Sequence, residues 1–237
     1  MPEGLSIAAI GMKGDMQRLA TISQNLVNAA TPGFKRDIAV GTSFSALVMG
    51  NGLFSAPVPA SAVLPDLKPA TLRFTGNALD VAIESAGFFE VRHEGQTFYT
   101  RQGNFAIDAT GRLVTQAGHA VAGSSGDILL STPKPVIDAQ GNIVENGKPV
   151  AQLKLVRFSN PSLLQRSGDG LFLQGGAAIE PEGVSRVRQS HLEVSNVNTA
   201  AEMVRLIETM RHFEAGQKVI QMIDAMNERA ISKLGEF

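Results

Sequence analysis

The two ends of this chain carry apolar residues at helical spacing, whereas glycine and proline break everything between them into short alternating runs. Near the N-terminus Leu5, Met12, Leu19 and Leu26 recur every seven residues, with Ala9, Met16 and Ile22 filling the neighbouring positions. One narrow face is therefore apolar, a seam suited to a partner helix. At the other end Met203, Leu206, Ile207, Met210, Phe213, Ile220, Ile223, Met226, Ala230 and Leu234 repeat at three- and four-residue steps. The pattern predicts an α+β fold. Long N- and C-terminal helices pair as a coiled-coil-like layer, and a β-rich domain, either a sandwich or an irregular barrel, is inserted between them.

Local signals set the boundaries. The first helix is expected from Leu5 to Ala30, a rod of about 40 Å at about 1.5 Å per residue. Gly4 stands just before it and Gly11 and Gly14 fall in its first half, and each interior glycine costs about 1 kcal/mol relative to alanine, so the segment is marginal alone. Asn28, Thr31, Pro32 and Gly33 then end it, because Pro32 keeps Thr31 extended and Gly33 permits a positive φ. Residues 34–70 lack a sustained period and include Pro57, Pro59, Pro65 and Pro69. They read as an extended connector. Alternation follows at 79–84 and 88–91, and further strands are expected at 153–158, 170–173 and 184–194. Ile107–Val114 echoes Ile137–Val144, each a hairpin closed over Asp-x-x-Gly. Thr199 with Glu202 forms a capping-box pattern opening the last helix, expected to reach Leu234. The resulting division is an N-terminal assembly helix at 1–33, the connector at 34–70, a β-rich outer domain at 71–194 and a C-terminal assembly helix at 195–237.

Composition excludes several functions. The chain has 237 residues, 43% of them hydrophobic, enough to bury a core. With 21 basic against 22 acidic residues and no block of like charge, nothing collects nucleic acid or anionic lipid. The absence of cysteine removes disulfides, thiolate metal sites and cysteine nucleophiles. No apolar run approaches the roughly 18 residues of a spanning helix, and Met1-Pro2-Glu3-Gly4 lacks the basic start of a secretory signal. Membrane insertion and a cleaved leader are not expected.

No catalytic or cofactor constellation stands out. Asp108 and Asp138 sit in turns where aspartate bonds its own backbone, and Asp80 and Glu84 alternate with apolar residues as outward strand positions do. His93, His119, His191 and His212 show no metal-ligand spacing, and no nucleophile elbow, phosphate loop or dinucleotide fingerprint occurs. The exposed stripes remain. They could close on each other as a two-helix clamp within one molecule, or dock other subunits and stay unfolded until assembly. Asn25 and Asn28 lie on one helix face, where they either bond across a seam or are solvated. Phe34, beside Lys35 and Arg36, suits local core with an added contact. Arg211 and Glu214 either meet a neighbour or form a solvated intrahelical pair.

Specific stretches then carry a resemblance. Asn28-Ala29-Ala30-Thr31-Pro32-Gly33-Phe34-Lys35 resembles the N-x-x-T-P-G-[FY] signature after the N-terminal helix of bacterial flagellar rod and hook proteins. Residues 75–83, Gly87-Phe88-Phe89 and Tyr99-Thr100-Arg101-Gln102-Gly103-Asn104-Phe105 resemble that family's central domain. Ser195-Asn196-Val197-Asn198, Arg211-His212-Phe213-Glu214 and Lys218-Val219-Ile220 complete the likeness in family order. Within the family the chain looks most like the proximal, F-type branch, with the distal, G-type branch next. The resemblance implies a structural, non-enzymatic subunit of the basal-body rod, without cofactors. Such a subunit leaves the cytoplasm through the flagellar type III export apparatus without a cleaved signal. It polymerises with copies of itself and with proximal and distal rod subunits into a shaft that crosses the periplasm and transmits torque. The assembly interface is then expected to use Leu5, Met12, Met16, Leu19, Ile22, Asn25, Leu26, Asn28, Thr31, Pro32, Gly33 and Phe34 at one end. At the other it uses Asn196, Asn198, Met203, Leu206, Met210, Arg211, Phe213, Glu214, Ile220 and Ile223.

Overall fold

A computed structural model describes residues 2–40, 62–180 and 185–234. The middle of the expected connector, residues 41–61, lies outside the described residues, as do residue 184 of the expected strand and the side chains of Leu5, Ala230 and Leu234. The protein is α+β, and its described residues form two long helices and many short strands. It divides into two compact units, one of residues 1–27, 37–64 and 198–237 and the other of residues 28–36 and 65–197.

The first unit is built on α1 (Pro2–Val27) and α2 (Thr199–Leu234), with a two-stranded ribbon of Asp37–Val40 and Ala62–Pro65. Along α2 the inward positions are Glu202, Leu206, Thr209, Phe213, Gly216, Ile220 and Ile223, all buried or half-buried at alternating steps of four and three. That spacing returns the same side of a helix every two turns and lays one continuous stripe. On α1, Met12, Leu19, Ile22, Asn25 and Leu26 are buried or half-buried. The two helices meet closely where Met12 packs on Gly216, since a Cβ added at Gly216 would lie 3.0 Å from Met12 Cγ.

The opening of α2 corrects the capping-box expectation. Asn198 Oδ1 accepts the Ala201 N–H at 3.1 Å and the Asn198 carbonyl accepts the Glu202 N–H at 2.9 Å. Asn198 is thus the N-cap, one residue before the expected Thr199. Asparagine caps at least as well as threonine, and Glu202 is buried instead of reaching back to the helix start.

The second unit holds the β-rich body. Its largest sheet has nine strands, with the path Gln165–Arg166, Leu171–Leu173, Gln96–Thr100, Phe88–His93, Ala120–Gly123, Leu113–Val114 and Ala106–Ile107, and two further strands pairing off it. Alternation along the strands builds a core on each face. Phe89 and Phe98 enter one buried cluster with Val91, Phe105 and Val121, while their neighbours Phe88 and Tyr99 enter another with Phe158 and Phe172. Successive side chains on a strand point to opposite faces, so this doubly apolar pair of strands requires cover on both sides. A three-stranded sheet (Val136–Ile137, Asn142–Glu145, Lys148–Gln152) and two ribbons complete the unit.

The echoed hairpins form as expected. Asp108 Oδ1 accepts the N–H groups of Thr110 at 2.7 Å and Arg112 at 3.0 Å, and Asp138 Oδ1 accepts those of Gln140 and Asn142, both at 2.9 Å. These bonds hold both carboxyls below the usual carboxylate range, led by the Thr110 hydroxyl for Asp108 and the Asn142 amide for Asp138. The expected strand at 184–194 is instead broken into Val187–Gln189 and His191–Glu193. Ser190 between them has φ +58°, and the kink lets the first piece pair with Val81–Ile83 and the second with Leu72–Phe74. Asp80, expected to face outward, is buried and accepts a bond from the Asn77 amide at 3.0 Å. Glu84 does face solvent, paired with Arg188.

Candidate assembly surface

Each unit contains a buried polar constellation. In the first unit Asn25 is completely buried. Its side-chain amide donates to the Asp37 carbonyl at 2.8 Å and its oxygen accepts the Asp37 N–H at 2.8 Å, so it bonds that residue's backbone as a neighbouring strand would. The same amide donates to Glu202 Oε2 at 3.4 Å, and Glu202 also pairs with Arg205. Asn25 thereby links α1, the ribbon and the start of α2. Of the two alternatives left open for it, the solvated one is excluded. Asn28 is half-buried beyond the helix end and accepts the Thr31 hydroxyl at 3.2 Å.

In the second unit residues 28–36, 99–105 and 193–197, which overlap the family-like stretches, converge. Gly33 has φ +68°, donates its N–H to the Glu193 carbonyl at 2.7 Å, and lies so close to Arg101 that an added Cβ would be 2.5 Å from that residue's carbonyl. Only glycine meets both conditions. Phe34 is buried beneath the Arg166 guanidinium, 4.7 Å from its ring centre. The Lys35 side chain, 0% exposed, donates to Glu193 Oε1 at 2.6 Å and to the Lys68 carbonyl at 2.8 Å. Arg101 faces the second oxygen of Glu193 at 3.4 Å, and the Ala70 N–H reaches Oε1 at 2.7 Å. Asn196 accepts the Arg36 N–H at 2.6 Å and donates to the Asp66 carbonyl at 2.7 Å.

One buried carboxylate thus serves two buried cations. Burial lowers the pKa of Lys35 more than its Glu193 partner raises it, and burial likewise lowers that of Arg101. No pattern in the sequence signals this cluster. Lys35 reads as a surface neighbour of Phe34, and Glu193 as one polar position in an alternating strand. A second hidden proximity is that of His93 and His119, whose rings meet edge-on at 4.4 Å. Burial, followed by the charge of His93, lowers the pKa of His119, and Asp169 opposes the shift.

The other expected interface residues separate by exposure. Leu206, Phe213, Ile220 and Ile223 lie on the half-buried face of α2, whereas Met203 and Met210, with Val204, Ile207, Val219, Met222 and Met226, are exposed. Met16 on α1 is also exposed and does not share the inward face of Met12 and Leu19. Arg211 and Glu214 are exposed and form no ion pair with each other among the described residues. A helix with apolar side chains on its outer side as well as its inner one has surface for a second neighbour. Among the described residues no helix is long and apolar enough to cross a membrane.

Residues 188–233 match the family described as flagellar basal body rod FlgEFG protein C-terminal, and residues 82–151 the flagellar hook protein FlgE/F/G D1 domain. The flagellar basal-body rod protein FlgF of Escherichia coli strain K12 is 33% identical over 233 residues, covering 91% of each chain. The chain belongs to the flagellar basal-body rod protein family. FlgF of Mesorhizobium japonicum is 31% identical over 245 residues, covering 99% of each chain. FlgG of Agrobacterium fabrum is 32% identical over 251 residues, covering 94% of this chain and 95% of its own. The rod-family match at 188–233 includes Glu193, Asn196 and α2 as far as residue 233, so it spans residues of the buried cluster and of the helix with exposed apolar side chains.

Proposed function

We propose that this protein is a structural subunit of the flagellar basal-body rod, polymerising through its terminal helices into the shaft that carries torque from motor to hook. The observation that carries this reading is the exposed apolar surface of α2 outside its inward stripe, with Met203 and Ile207 on one flank of that stripe and Met222 and Met226 on the other. An apolar surface repeated along one helix invites like subunits, and non-closing contacts between identical chains generate filaments. Segments 1–33 and 195–237 serve assembly, and the β-rich body of 71–194, a sandwich or irregular barrel, forms an outer layer. The helices pack as a coiled-coil-like inner layer. Their partners are copies of this chain and other axial proteins. Export runs through the flagellar type III apparatus, without a cleaved signal, to the rod in the periplasm. The subunit has no catalytic role and no cofactor.

In this reading the interface residues divide their work. Met203, Met210 and Met16 contact neighbours. Leu19, Leu206, Phe213, Ile220 and Ile223 hold the helix pair that presents them. Thr31, Pro32, Gly33, Phe34 and Asn196 fix the segments to which the helices are joined. The F-type branch is favoured by length, since the Mesorhizobium FlgF alignment needs 245 positions to cover 99% of both chains, against 251 for 94% of this chain with FlgG of Agrobacterium.

The test is Ile207→Asp, which places a charge on the outer side of α2 while leaving its inward stripe intact. The variant should retain the β-body circular dichroism of the parent, fail to enter rods and abolish swimming. Wild-type incorporation would show that this side of α2 faces solvent in the rod.

A further inference from the structure

Methionine is distributed unevenly over α2. All four of its methionines lie on exposed positions, with Met203 at 59%, Met210 at 47%, Met222 at 58% and Met226 at 58% exposure. The inward stripe contains Leu206, Phe213, Ile220 and Ile223 and no methionine. Met16 of α1 is 60% exposed as well. By contrast Met12 is half-buried against Gly216, its sulfur 3.6 Å from where a Cβ on that glycine would sit. A thioether adapts its shape to varied neighbours, which suits a docking face, and leucine would be equally apolar there. Methionine differs from leucine in being oxidisable, and susceptibility follows exposure.

We propose that Met16, Met203, Met210, Met222 and Met226 are peroxide-reactive modification sites, spread over the exposed surface of the two helices, whose oxidation blocks docking of the terminal helices. This rests on the reading of the outer side of α2 as an assembly face. The thioether sulfur attacks one oxygen of hydrogen peroxide, and an S–O bond forms as the O–O bond breaks. Sulfur is oxidised by two electrons to the sulfoxide, the peroxide is reduced, and one water leaves. Each conversion turns an apolar, flexible side chain into a polar one. Burying such a group against another helix leaves its oxygen without the water it bonds in the free subunit. A subunit oxidised before incorporation is therefore excluded, while one already docked has its sulfur atoms covered. Methionine sulfoxide reductases of both epimer specificities return the excluded subunit to the competent form.

The experiment uses the purified full-length chain exposed to hydrogen peroxide, with sulfoxide followed at each methionine by peptide mass spectrometry and association followed by sedimentation velocity. The five exposed methionines should convert together, with Met12 behind all of them, and the associated species should disappear as they convert. Treatment with the reductase pair should restore it. In a variant with all five replaced by leucine, whatever its association before treatment, peroxide should produce no further change in association. Undiminished association of the oxidised wild-type chain, or equal loss in the leucine variant, would overturn the proposal. Conversion of Met12 as fast as the other five would remove the selectivity on which it depends. If the untreated chain and the leucine variant both fail to associate at any concentration, the docking reading falls and the gate with it, whatever the oxidation rates.

Discussion

Replacing Glu193 with glutamine removes the single anion from a buried site that holds two cations. In the parent, Glu193 accepts Lys35 at 2.6 Å and faces Arg101 at 3.4 Å, with both basic side chains almost wholly inaccessible at 0% and 2% exposure. Breaking a buried pair by removing one partner costs about 3–5 kcal/mol, because the other charge stays behind without compensation. Two stranded cations place Glu193→Gln at the upper end, about 5 kcal/mol. Lys35→Met removes one cation and leaves Glu193 with Arg101 and the Ala70 N–H. Its cost is smaller, about 1–2 kcal/mol for the lost hydrogen bonds. At about 2–4 °C per kcal/mol for a chain of this size, the glutamine variant should melt about 10–20 °C lower and the methionine variant about 2–8 °C lower. Tyr99, the only tyrosine in a chain without tryptophan, is buried in the β body and reports its unfolding by fluorescence. The pH dependence has a definite sign. The pKa of Lys35 is lowered in the fold, so the unfolded chain holds its proton to higher pH and stability rises as pH increases from the folded value towards about 10.4. The defect of Glu193→Gln should therefore shrink on the alkaline side, where Lys35 sheds its charge. Equal costs for the two variants, or a larger cost for Lys35→Met, would refute the assignment of Glu193 as the shared anion.

Gly33→Ala combines a φ of +68° with a Cβ 2.5 Å from the Arg101 carbonyl and should cost more than about 3 kcal/mol in urea unfolding, whereas Gly95→Ala, with φ +79° and nothing within 4 Å, should cost about 1–2 kcal/mol. Asn198→Ala should weaken α2 by about 1 kcal/mol and Thr199→Ala hardly at all, read as faster amide exchange in the first turn of α2. Because the pKa of His119 is lowered in the fold, its contribution is complete above about pH 6.5 and is lost as the pH falls through that value towards the folded one. His119→Gln should flatten the acid limb of a melting-temperature profile between about pH 7 and pH 5, and an unchanged limb would show that another group sets it.

Periodicity and turn chemistry were readable because they act through near neighbours. The seven-residue spacing of Met12, Leu19 and Leu26 anticipated a helix, observed at Pro2–Val27, and the Asp-x-x-Gly turns at Asp108 and Asp138 anticipated two hairpins. Glu193 could not be placed the same way. Its partners Lys35 and Arg101 are distant in sequence, and charged residues in isolation read as solvated. Glu202 was hidden for a related reason, being polar at a position where the helix periodicity asks for an apolar side chain, and Asn25, though named as a seam candidate, gave no hint of Asp37 and Glu202 as its partners. The kink at Ser190 escaped notice because serine carries little bias towards a positive φ, and only the two different pairing partners on either side of it require one. Outer and inner apolar residues of α2 were likewise merged into one stripe, because periodicity counts hydrophobic positions without saying which side has a partner.

The central claim is that the outer side of α2 is covered when the subunit enters the rod. Since the chain has no cysteine, Ile207→Cys supplies a unique thiol at an exposed position of that face. The decisive measurement is the rate of maleimide labelling of this thiol in the purified monomer and in isolated basal bodies. Fast labelling in the monomer with strong protection in the basal body is the result expected. Equal labelling in both would contradict assembly through this face.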